Sequence, residues 1–223
     1  MAAQARQVIE EGRRKIAPLE ERIRQHPYLH RLEARQVDRG KLGIFAGQQR
    51  HIIESDLRSV GLIVARAGSQ ETRDFFLGML QGERAALEAL GPFGKAVGLP
   101  DDQLRAAEPL PGAFAYSAYV AWLALYGSTA EFAGAFLVNL EAWGANCGRM
   151  SRALRDGYGL TAADVAFFDL FAVTPPGFEA RGIAVVEEGL AQGVDPVRIH
   201  RAARMLQGYE LLYWDTILQA TEA

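Results

Sequence analysis

The chain has 223 residues, of which 49% are hydrophobic and 23% charged, with a formal net charge of −3. That balance is ordinary for a soluble globular protein, and it gives no reason to expect attraction to nucleic acid or to an acidic membrane. The one cysteine excludes an intrachain disulfide, no apolar run reaches 18 residues, and the early stretch RQVIEEGRRK is too polar for a signal peptide. The expectation is a soluble, cytoplasmic protein folding as a single domain over 1–223.

Residues 4–25 read as a charged amphipathic helix with Ile9, Ile16, Leu19 and Ile23 on one side. Pro18 is expected to kink or interrupt it, and His26-Pro27 to end it. A short helical piece with Tyr28, Leu29 and Leu32 follows. The next helix, 38–67, has an apolar stripe of Leu42, Phe45, Ile52, Ile53, Val60, Ile63 and Val64, with Gln49 and Asp56 lying on it. Ser69 suits the cap of helix 71–90, where Phe76, Met79, Leu80, Leu87 and Leu90 are periodic and Glu83 sits among them. Residues 91–112 are rich in glycine and proline. They are expected to form a long irregular crossover with one helical turn near 101–107. Helix 113–126 is almost wholly apolar and so is expected at the centre.

Ser128 and Glu131 fit a capping box at the start of helix 129–156. Apolar residues then recur at 132, 136, 140, 143, 147, 150 and 154, with Asn139, Glu141 and Asn146 interrupting or bordering that face. Gly157 and Gly159 end this helix. Helices over 162–173, 176–191 and 196–220 follow, the last two opened by Thr174-Pro175-Pro176 and Asp195-Pro196. No segment alternates as a strand would. The fold class is all-α, with about eight helices.

Gln49, Asp56, Glu83, Asn139 and Glu210 are polar residues on otherwise apolar faces of four helices. Buried polar groups are costly unless hydrogen-bonded. The set therefore implies a shared internal network or a wet pocket, unless some of these residues face solvent. Glu210 has Leu206, Tyr213 and Trp214 at helical spacing around it. Such surroundings raise a carboxyl pKa and suit acid–base work; a purely structural glutamate, bonded to tyrosine or arginine, fits the same pattern. Tyr116, Tyr119, Trp143, Tyr209 and Tyr213 are able to stack on a flat heterocycle or to serve as plain core. His51 reads as a surface residue and Cys147 as a small buried hydrophobe. The His26/His30 pair lacks a third metal ligand, and Arg13-Arg14-Lys15 reads as a solvated charge cluster. There is no P-loop, no GxGxxG after a strand and no GxSxG.

One ordered set of motifs is more specific. Ala115-Tyr116-Ser117-Ala118-Tyr119 leads into Gly127-Ser128-Thr129-Ala130-Glu131, then Phe136-Leu137-Val138-Asn139 with Trp143 and Gly148, and later Glu210-Leu211-Leu212-Tyr213-Trp214. With His26-Pro27-Tyr28 and Phe45-Ala46-Gly47-Gln48-Gln49 before them, these segments resemble the TenA/PqqC group, whose fold is haem-oxygenase-like. TenA proteins are thiaminase II enzymes. The resemblance implies an internal pocket for a small flat nitrogen heterocycle, with Glu210 as the proton-handling residue. It implies Gln49, Glu83, Tyr116, Tyr119, Asn139, Trp143 and Tyr213 as ligand-binding residues, and a homodimer or higher oligomer.

The chain departs from that pattern in three places. Asn139, or Leu140 by counting back from Gly148, stands where the TenA cysteine nucleophile belongs, and neither replaces a thiolate. Gln49 and Arg50 stand at an aspartate and a tyrosine. The spacing of the fold's di-iron oxidases falls on Phe171, Pro175 and Phe178, and on Glu83 with Leu90. Glu83 and Glu141 could survive as carboxylates, but no imidazole set accompanies them. No metal and no cofactor are expected. The alternative to a divergent enzyme is a non-catalytic metabolite-binding or protein-interaction member of the fold. A transcriptional regulator finds no helix-turn-helix or basic face to support it.

Overall fold

The computed structural model describes residues 2–223 and contains ten α-helices among them. These are α1 (Ala2–Arg24), α2 (Pro27–Glu33), α3 (Leu42–Arg66), α4 (Gln70–Ala96), α5 (Asp101–Ala106), α6 (Pro111–Tyr126), α7 (Thr129–Tyr158), α8 (Ala166–Ala172), α9 (Phe178–Ala191) and α10 (Pro196–Glu222). No strand occurs among the described residues. No described helix is long and apolar enough to cross a membrane.

Helix α7 is the axis. Its first three turns, Ala130 to Asn139, are buried on all sides, and apart from Glu131 and Asn139 every residue in them is apolar or glycine. It packs against α10, α8, α9, α2, α1 and α6. The capping box forms as expected: the Ser128 hydroxyl accepts from the Glu131 amide at 3.2 Å, and the Glu131 carboxylate accepts from the Ser128 amide at 2.8 Å. Asn146 is buried for a different reason. Its Nδ2 donates to the Ile23 carbonyl at 3.1 Å, and Arg149 donates to the Arg24 carbonyl. Both satisfy acceptors that the end of α1 leaves open.

Several boundaries differ from the pattern-based expectation. Pro18 does not interrupt α1; Ile16 and Ile23 are buried on either side of it, and packing on α10 and α9 holds the two halves in line. Helix α4 likewise continues past Gly91-Pro92, because Leu90 and Phe93 are both anchored in the core. The irregular crossover is correspondingly short. Gln48 pins it by donating to the Glu108 carbonyl (3.0 Å) and accepting from the Leu110 amide (2.8 Å), and His51 Nε2 lies 2.6 Å from the Ala107 carbonyl. Helix α8 begins at Ala166, since Asp164 ties back to Thr161 in a turn. Helix α9 begins after Gly177, whose φ of 74° is left-handed, so Pro175 and Pro176 precede the helix.

Helix α6 is the clearest correction. It is not central: it lies on α3 and α10 and leaves Phe114, Trp122, Leu125 and Tyr126 exposed. Its apolar composition serves two faces, of which the chain itself covers one.

The aromatic centre of the core is Phe45. Phe93, Trp143, Phe167, Phe168, Tyr213 and Trp214 surround it, with ring centroids 5.4–6.4 Å away. Helix α8 reaches this cluster because α7 has a glycine at 144. A Cβ there would sit 2.7 Å from the Phe171 carbonyl oxygen. Gly144→Ala is therefore expected to destabilise the protein by about 1–3 kcal/mol. Chemical denaturation checks this: an unchanged midpoint would mean that α8 moves aside without cost.

Candidate functional site

Five helices turn polar side chains toward one interior space, and a sixth closes it with an aromatic ring. Helix α3 contributes Gln49 and Asp56, two turns apart on one face; α4 contributes Glu83 and α6 Tyr116. Helix α7 contributes Phe136, Asn139, Leu140 and Trp143, α8 Phe171, and α10 Glu210 and Tyr213. The cavity they enclose has about 470 Å³ of atom-free space, counting its open side. Of this, about 40 Å³ admits the centre of a water molecule.

Glu210 is 2% exposed. Its Oε1 accepts from Trp214 Nε1 at 3.1 Å, one turn along α10, and its Oε2 accepts from Asn139 Nδ2 at 2.5 Å. Asn139 is the hub: its amide also donates to Gln207 Oε1 at 2.7 Å, and its carbonyl oxygen accepts from the Tyr116 hydroxyl at 3.0 Å. Asn139, one of the two positions at which the resemblance places a cysteine, is thus engaged in positioning a carboxyl group. Burial pushes Glu210 up to about 8, against the opposing pull of the Trp214 and Asn139 hydrogen bonds.

Asp56 and Glu83 form the opposite wall. Asp56 is 3% exposed, and its Oδ1 has no hydrogen-bond partner. Burial, and then the nearby Glu83, raise its pKa well above the ordinary carboxylate value. Glu83 is pushed up to about 7 by burial, although its surface is only part-covered because it borders open cavity. The negative charge of Glu83 disfavours ionisation of Asp56, so the pair resists double ionisation. Gln49 approaches the Tyr213 hydroxyl without completing a hydrogen bond.

Seven of the eight residues singled out from sequence meet at this cavity: Gln49, Glu83, Tyr116, Asn139, Trp143, Glu210 and Tyr213. Tyr119 does not. Three residues are less than a full turn, so it is rotated by about 60° from Tyr116. It stacks instead on Trp122 (5.8 Å, 9° between planes) and meets Tyr209 at 5.2 Å. Tyr209 is outside as well, about 100° around α10 from its neighbour Glu210. Glu141 also lies elsewhere, in a half-exposed ion pair with Arg13 at 3.0 Å. Cys147 is buried with its thiol pKa raised by desolvation, and does not line the cavity. His26 caps α2 and lies 3.1 Å from Asp215. No three metal-ligating side chains cluster among the described residues. Sequence reasoning missed Gln207, a fully buried partner of Asn139. Its position one turn before Glu210, within the same apolar stripe, was the available signal.

No curated protein matches the sequence. Solved structures do. A TenA homologue from P. horikoshii OT3 superposes with a TM-score of 0.78 at 16% identity, covering 96% of this chain and 99% of that one. A TenA homologue from Pseudomonas syringae pv. tomato gives 0.81 at 9% identity, over 94% and 92%. A domain of unknown function with a haem-oxygenase-like fold, from Shewanella denitrificans OS217, gives 0.74 at 14% identity, over 92% and 90%. The model of the TENA/THI-4/PQQC family matches residues 13–167. The ordered motifs, the all-helical architecture and the family match agree: this chain belongs to the TENA/THI-4/PQQC family and has the haem-oxygenase-like fold.

Proposed function

We propose that the inner cavity binds a small, flat nitrogen heterocycle and that Glu210 transfers a proton to it. The reaction is a hydrolysis or rearrangement of the thiaminase II-like or cofactor-biosynthetic kind, without a covalent enzyme intermediate. The observation that carries this reading is the buried Glu210 carboxyl, clasped by Asn139 and Trp214 at the wall of an aromatic-lined cavity. With its pKa near 8, Glu210 is mostly protonated at neutral pH and serves as a general acid. After the proton leaves, the two N–H donors stabilise the carboxylate. Trp143 and Tyr213 offer ring faces to a planar ligand. Asp56 and Glu83 offer acceptors to its N–H groups. Because no thiol lines the cavity, water is the nucleophile.

The cavity as shaped holds a few waters, so a ring enters only when part of its wall moves. Phe136, Leu140 and Phe171 form the side bordering open space. A second reading, non-catalytic metabolite binding, is favoured by one fact: Asn139 and Glu210 already satisfy one another.

Ligand-induced melting shifts against a panel of thiamin fragments and related heterocycles, followed by turnover assays on the hits, separate the two. The catalytic reading expects Glu210→Gln to retain binding and to lose at least about 100-fold in turnover. Binding without turnover in the wild type leaves the second reading.

The protonation of Glu210 is separately testable. Its folded pKa is raised, so its contribution to stability is complete below the unfolded value near 4.5 and is lost as pH rises through about 8. Denaturation midpoints should decline between pH 5 and 8, and the decline should be shallower in Glu210→Gln. The glutamine side chain presents an amide N–H₂ where a carboxyl oxygen accepts now. That variant should therefore be less stable by about 1–3 kcal/mol at pH 5.

We also propose that the exposed α6 face, with Trp122, Leu125 and Tyr126, joins copies of this chain into a homodimer or larger oligomer. Light scattering on wild type and Trp122→Glu tests this. A wild-type monomer, or an oligomer indifferent to the substitution, removes the assignment.

A further inference from the structure

Beside the inner cavity lies a second one, between α4, α7 and the segment joining α8 to α9. About 250 Å³ of it admits water-molecule centres, several times the inner value. Glu83, Phe136, Leu140 and Phe171 belong to the walls of both, so one partition separates them. Their chemistry is opposite. The inner cavity carries Asp56, Glu83 and Glu210 with no cation. The outer one is lined mainly by apolar side chains, among them Phe75, Met79 and Phe178, with Glu83 at the partition and Arg181 as its other charged residue.

Two further features mark the outer cavity as more than a packing gap. Leu170 and Val173 border it while remaining 38% and 71% exposed, so apolar surface is left uncovered at its mouth. On the other side, α4 presents Gly78 and Gly82, one turn apart. A glycine inside a helix costs about 1 kcal/mol relative to alanine. Neither position needs one for packing, since a Cβ at either would meet nothing within 4 Å, and neither has a positive φ. What the glycines supply is width, and a bare backbone that a ligand can approach.

We propose that the ligand is amphipathic: an N–H-bearing heterocyclic head occupies the inner cavity, and an uncharged apolar arm of several carbons lies in the outer cavity against the α4 backbone at Gly78 and Gly82. This assignment rests on the heterocycle-binding reading of the inner cavity and adds to it the arm and its place. The polar head meets the orphaned Asp56 oxygen. The arm passes the partition at Leu140 and Phe171 and covers Leu170.

Calorimetric titration with 4-aminopyrimidine carrying either a methyl or a pentyl group at carbon 5 tests the proposal. The pentyl probe is expected to bind the wild type at least about tenfold more tightly, from the additional buried methylenes. Gly78→Leu, whose side chain has room to enter the outer cavity, is expected to abolish that gain while leaving the methyl probe's affinity unchanged. Leucine is the better helix former, so this variant should fold; Gly82→Leu provides an independent plug. Equal binding of the two probes, or a gain that survives both plugs, overturns the arm assignment while the heterocycle reading stands. If neither probe binds, the head assignment fails and the arm assignment falls with it.

Discussion

A helix with no solvent-facing side must be either apolar or internally bonded at every position, and α7 meets that condition through its first three turns. The other helices are arranged to satisfy it. Helix α10 brings Gln207 and Glu210 to Asn139, the one polar side chain deep in this part of α7. Helix α6 brings the Tyr116 hydroxyl to the same amide. A buried amide with its hydrogens and oxygen all matched fixes the register of three helices against one another. Losing any partner leaves a donor or acceptor stranded in apolar surroundings.

That same arrangement bears on the proposed chemistry. At one of the two positions where the family resemblance places a thiol, Asn139 cannot attack a carbon centre but holds the Glu210 carboxyl in a fixed orientation. The acid–base group of the proposed reaction, Glu210, stands on α10 at the same cavity. Three carboxyls share one interior without a basic residue to balance them, and burial keeps each more protonated than it would be in water. The interior is therefore closer to neutral at physiological pH than its composition suggests. On the proposed reading, an incoming molecule meets carboxyl groups able both to accept and to donate hydrogen bonds rather than a fixed negative field.

Much of this was legible in the sequence, for identifiable reasons. Gln49, Asp56, Glu83, Asn139 and Glu210 stood out because each interrupts an apolar stripe, and burial makes such interruptions expensive. The Ser128–Glu131 cap and the Asp195-Pro196 start were read correctly because capping is local chemistry. What failed was whatever depended on the partner surface. Pro18 and Pro92 are carried inside helices because tertiary anchors on either side outweigh a missing hydrogen bond. The apolar α6 was expected in the centre, although a helix covered on one side by its own chain reads the same in sequence. Tyr119 lies off the cavity by a rotation of less than one turn, finer than apolar periodicity in a sequence resolves. The outer cavity had no signature at all: its walls are ordinary apolar residues, and its glycines resemble any other pair.

The close approach of α8 to α7 at Gly144 has a kinetic meaning as well. The Phe171 backbone abuts α7 directly, so the segment carrying Phe171 has little freedom to slide or lift as a body. Opening between the two cavities then falls to torsions of the partition side chains, Glu83, Phe136, Leu140 and Phe171. Such a passage works as a turnstile rather than a lid. A ligand of the proposed kind would pass end-on, at a frequency set by how tightly neighbouring rings such as Trp143 and Phe167 hold Phe171. Selection by cross-section at the doorway then acts before any hydrogen bond inside is made.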